Sequence, residues 1–144
     1  MGGLAALVGG WGLWARLFPA HFFEHFPGLG HQWTAAYPPY NEHLVTDLGA
    51  TFLTLAVLLA VGACSRLRPV RTLALVAVGV FNVLHLSFHS MDRGEMAGLD
   101  YGASIVSLVV GVVVPAVLLV LDRGGSGSGG SGGEQETAPA RGSA

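Results

Sequence analysis

The chain contains no lysine, and only 11% of its 144 residues are charged. A soluble domain of this size covers its surface with about 25% charged residues. The missing polar surface therefore implies an exterior that faces lipid. Seven arginines against nine acidic residues leave a net charge of −2, which supplies none of the clustered positive charge that nucleic-acid binding rests on. Nucleic acid is excluded as an expected partner. A single cysteine, Cys64, rules out an intramolecular disulfide and leaves the redox compartment open. At the end of an apolar run it reads as a small buried residue. There is also no Gly-rich phosphate loop, no Ser-His-Asp arrangement and no Cys pair, so the common soluble-enzyme chemistries have no residues to run them. The expectation leans away from an enzyme.

What the chain does have is apolar length: 51% of residues are hydrophobic and the mean hydropathy is +0.57. Membrane spans need ~20 mostly apolar residues. Asp47 to Cys64, Thr72 to His89 and Tyr101 to Leu121 meet that length. A fourth stretch, Gly2 to Phe18, is shorter, yet at ~1.5 Å per residue it still crosses about 25 Å. It lacks the positive n-region and the small-residue cleavage site of a signal peptide, and it carries Trp11, Trp14 and Arg16, so a retained helix is expected. The predicted fold is all-α: a four-transmembrane-helix bundle over residues 1–123, with a short interfacial helix between the first and second spans. Residues 124–144, rich in Gly and Ser, bury too little surface to offset chain entropy and are expected to form a disordered cytoplasmic tail.

Orientation follows from arginine. Arg66, Arg68 and Arg71 crowd the turn between the second and third spans and Arg123 follows the fourth, whereas only Arg16 and Arg93 lie at the other end. The expected location is the plasma membrane, with both termini cytoplasmic. All six histidines, His21, His25, His31, His43, His85 and His89, then fall at the outer end, with Glu24, Glu42, Asp47, Asp92, Glu95 and Asp100. Ionisable groups at membrane depth are costly and mark sites, so this asymmetry is the strongest functional pointer in the chain.

The sharpest spacing is Asn82, His85 and His89, which share one helical face. Two imidazoles one turn apart can hold a metal ion, and Asp92 at the helix end can join them or orient a ring. In the second span His43, Asp47 and Thr54 form a stripe, and a carboxylate one turn from an imidazole holds its tautomer. Asn41 reads as a helix cap. The predicted metal-binding set is His43, Asp47, His85 and His89, the two stripes facing each other, with a transition metal or haem as ligand. The competing reading has the same residues hydrogen-bonding between helices. Proton or quinone handling is a third.

The segment FPAHFFEHFPGLGHQW places Phe18, Phe22 and Phe26 on one side and His21 and His25 on another, as an amphipathic helix in the interface would. Trp33, Tyr37 and Tyr40 read as belt aromatics, and Arg16 is expected to pair with Glu24, Glu42 or Asp47. In the fourth span Ser104, Ser107 and Gly111 form a small-residue packing face, and Pro115 predicts a kink.

At PYNEHLVTDLGA, preceded by FPGLGHQW, the chain resembles a group of small four-helix membrane proteins of high-GC actinobacteria, and in overall architecture it is similar to DoxX-like proteins. The resemblance runs from Leu4 to about Leu121. It implies integral membrane location and four helices, and it supplies no reaction, cofactor or catalytic residue. Three functional readings follow: an outer-face metal or haem site, a non-catalytic accessory protein, and a small proton-coupled carrier. The lipid bilayer is the expected partner, together with further copies of the chain or a larger membrane complex, since four helices must assemble to enclose a pathway.

Overall fold

The computed structural model describes residues 1–96 and 98–124; the expected disordered tail thus lies, apart from Gly124, outside the described residues. The described residues are mostly helical: α1 (Gly2–Leu17), α2 (Pro19–His25), α3 (Glu42–Cys64), α4 (Arg68–Met91) and α5 (Gly98–Gly124). A two-stranded ladder of β1 (Pro27–Gly28) and β2 (His31–Gln32) interrupts the helices. α3, α4 and α5 are each long and apolar enough to cross a membrane, with mean hydropathies of 2.1, 1.6 and 2.9. Each begins three to five residues earlier than the apolar runs suggest, taking in the polar residues Glu42 and His43, Arg68 and Arg71, and Asp100. At α3 the Asn41 side chain accepts a 3.1 Å hydrogen bond from the Leu44 amide, the expected N-cap.

Contacts along the helices make the packing antiparallel throughout. Met1 meets Gly62, Gly9 meets Ala56, and Gly12 meets Leu53, so α1 runs back along α3. Phe52 of α3 meets Phe81 of α4, and Gly62 meets Ala74. Asn82 of α4 meets Gly111 of α5, and Arg71 meets Asp122. One end of the molecule therefore gathers Met1, Cys64, the arginine turn and Asp122. The other end gathers α2, the ladder, the start of α3 and the end of α4. All six histidines lie toward this second end, as their spacing along the chain requires.

α1 and α3 approach each other closely at a pair of glycines. A Cβ on Gly49 would sit 2.8 Å from the Arg16 amide nitrogen and 3.0 Å from the Gly12 carbonyl, and one on Gly12 would sit 2.9 Å from the Leu53 amide. Backbone meets backbone here, which only glycine permits. Above this crossing Ala15, Phe22, Val45 and Phe52 form one core cluster; below it Ala5, Leu55, Leu59, Leu75 and Val78 form another.

Three local expectations change. The interfacial helix stops at His25, and the following Pro-Gly-Leu-Gly run makes a hairpin rather than more helix. Its aromatic side also points inward: Phe22 is buried against Trp14 and Phe26, leaving only Phe18 of the three phenylalanines exposed. Burying the Phe22 ring against α1 removes more apolar surface from water than resting it in the headgroup region. Cys64 is exposed rather than buried, because it ends α3 beyond the last packing residue, Gly62.

Candidate functional site

The histidine end is built by a cap laid across the helix ends. His31, on β2, places Nδ1 2.6 Å from Asp100 Oδ1 at the start of α5. The Glu95 amide donates to the Ala36 carbonyl at 2.8 Å, which ties the loop after α4 to the loop before α3. Trp14 Nε1 donates to His21 Nδ1 at 3.0 Å, so α1 holds α2, and the His21 and His25 rings stack 4.4 Å apart. The His31–Asp100 and Glu95–Ala36 contacts join segments distant in sequence, whereas the His21–His25 stack follows from one-turn spacing.

At the centre of the cap stands Tyr37. Its hydroxyl lies 2.7 Å from His89 Nδ1 and 2.8 Å from the Asp92 carbonyl oxygen. The hydroxyl has one proton and the carbonyl can only accept. Both hydrogen bonds are satisfied when Tyr37 donates to Asp92 and His89 Nδ1–H donates to the Tyr37 oxygen. The neutral His89 ring then carries its lone pair on Nε2. The neighbouring His85 ring stands edge-on to it, with centroids 4.6 Å apart, and stacks on Phe81 on its other side at 5.4 Å. Tyr101 on α5 donates to the His89 carbonyl at 3.2 Å, so His89 is held from two further segments. Gly94 is required for this arrangement, since φ is +58° and a Cβ would lie 2.9 Å from the Tyr37 ring. Burial, then the nearby Asp92 charge, then Tyr101, raise the Tyr37 phenol above its ordinary value.

The four predicted ligands separate into two pairs. His43 Nε2 lies 3.3 Å from Asp47 Oδ2, the one-turn contact expected, but both side chains are largely exposed, at 88% and 64%. α3 turns Val45, Gly49 and Phe52 to its neighbours, and at ~100° per residue Asp47 projects well away from that face. Among the described residues no group of three or more His, Cys, Asp or Glu side chains converges as a metal site. His85 and His89 remain together, half-buried, beside Tyr37. Asp92 does orient His89, through its main-chain oxygen and the Tyr37 bridge, while its carboxylate accepts the Gly94 amide at 2.8 Å. Arg16 forms no ion pair among the described residues, and its side chain is exposed.

No protein-family model, characterised protein or solved structure matches the chain. Tyr37 was legible in the sequence only as an aromatic near a membrane surface, because nothing local marks a residue whose partner is 52 positions away. The same holds for His31 with Asp100, separated by 69. At the opposite end Arg71, read as an orientation signal, also donates to Asp122 at 2.6 Å and to the Ser65 and Arg66 carbonyls, closing the α3–α4 turn against α5.

Proposed function

We propose that the protein is a plasma-membrane protein of four crossings whose His85–His89 pair is the point at which its capped end takes a transition-metal ion or haem iron. The observation that carries this reading is the Tyr37 bridge. Ligating histidines characteristically donate the far ring N–H to an oxygen that fixes tautomer and orientation, and the Tyr37–Asp92 arrangement does this for His89. Two imidazoles provide part of a coordination sphere and leave positions open for an exogenous ligand. In favour of a fourth crossing, α1 lies antiparallel along α3 from Gly62 to Gly49, and its 16 residues span about 24 Å.

A second reading is supported by the density of ties at the same end. His21, His31, His43 and His89 each already have a partner side chain, as an accessory protein that uses its polar residues only to hold a cap would require. Elemental analysis and an optical spectrum of detergent-purified protein separate the two. The ligand reading expects stoichiometric metal or a Soret band that His85→Ala and His89→Ala each remove without unfolding the protein. Absence of both signals in the wild-type protein returns the function to the accessory class.

A further inference from the structure

Away from the histidine end, a groove of about 370 Å³ lies between α4 and α5, walled by Val76, Gly79 and Val83 on one side and Val112, Ala116 and Leu119 on the other. Its floor is open at Gly79, where a Cβ would meet nothing within 4 Å, and Pro115 is fully buried behind it. The lining runs from Leu75 to Leu84, about 14 Å of helix centred on the middle of α4, with Leu75 about 10 Å along the helix from Arg68. Both walls continue into an arginine on the same helical face. Arg68 stands seven and eleven residues before Leu75 and Gly79; Arg123 stands seven and eleven residues after Ala116 and Val112. At ~100° per residue each of these offsets returns to within about 20° of the starting direction. Both arginines thus stand beyond the groove, at the same end of the antiparallel α4–α5 pair. Arg71 takes the close bond to Asp122, whereas Arg68 is 3.9 Å from that carboxylate and Arg123 has no ion pair among the described residues.

We infer that this groove is a binding site for an anionic phospholipid, one acyl chain lying along α4 and α5 and the phosphate held between Arg68 and Arg123. The inference rests on the membrane reading above. A second copy of the chain is disfavoured as the occupant, because parallel copies in one bilayer bring their arginine ends to the same depth, where like charges repel. A free anion leaves the apolar groove unused. Arginine stems that lie along apolar surface with the guanidinium at the headgroup level suit this depth.

Native mass spectrometry of the full-length protein from nanodiscs of mixed phosphatidylglycerol and phosphatidylcholine tests the site. Preferential retention of one phosphatidylglycerol is expected, roughly tenfold over phosphatidylcholine, lost in R68Q/R123Q and in Gly79→Phe. The arginine variant decides the matter even if Gly79→Phe misfolds, with its melting temperature as the control, because Arg68 also lies 3.9 Å from the Asp122 carboxylate. Equal retention of the two lipids, unchanged retention in R68Q/R123Q, or a lipid-free dimer through this face overturns the proposal. Carbonate extraction of the same membranes reads integration separately. Failure of the lipid site in a protein that remains integrated leaves the membrane reading standing.

Discussion

Tyr37 and His89, 52 residues apart, meet at 2.7 Å through the phenol oxygen and Nδ1, and the Asp92 carbonyl completes the bridge at 2.8 Å. A raised Tyr37 phenol makes stability depend on alkaline pH. The unfolded phenol ionises near its ordinary value of 10.0, while the folded one keeps its proton to higher pH. The stabilisation is full below that value and is lost as pH rises through the folded value. Thermal unfolding in detergent between about pH 9 and about pH 11 should fall more steeply for the wild type than for Tyr37→Phe. Parallel slopes would show that the bridge does not couple to folding.

Gly49 is expected to tolerate no side chain. Gly49→Ala places a methyl against the Arg16 amide and the Gly12 carbonyl, forcing α1 off α3 at a cost of about 1–3 kcal/mol. Gly10, where a Cβ meets nothing, is the control. Equal melting temperatures for the two alanine variants would contradict the close crossing.

Arg71 and Asp122 are poorly exposed, at 26% and 17%, and Asp122 Oδ2 is buried without a hydrogen bond. Asp122→Ala should destabilise the protein by about 1–3 kcal/mol, between the values for exposed and fully buried pairs. A double-mutant cycle with Arg71→Ala measures the coupling. Additive losses would show that the contact contributes nothing of its own.

Leu29 occupies the hairpin turn at φ +57°, fully exposed, followed by Gly30 at φ +87°. Leucine is strained in this left-handed region, and an Asn-Gly pair is the favoured two-residue turn. Leu29→Asn should raise stability by about 0.5–1 kcal/mol in chemical unfolding, with no change in the cap. A loss would mean that the leucine is anchored by something outside the chain.

Reporter fusions check orientation. Alkaline phosphatase fused after Arg68 or after Gly130 should be inactive, and active after Arg93, if the arginine turn is cytoplasmic. Activity at Arg68 would invert the molecule and move the histidine end inside.

Helical class, three of the long apolar helices and the one-ended placement of histidine were readable from the chain, because length, hydropathy and alternating span direction are local or one-dimensional properties. The His43–Asp47 and Asn41–Leu44 contacts were readable for the same reason, being three or four residues apart on a helix. Which face of α3 turns inward was decided by tertiary packing: Gly49 admits α1 so closely that Val45 and Phe52 follow it into the core and Asp47 is turned out. The Tyr37–His89, His31–Asp100 and Arg71–Asp122 contacts join segments 51 to 69 residues apart, and only the folded chain brings them within hydrogen-bonding distance. Periodicity places a polar group on a helix face. The neighbours that close on that face determine its partner.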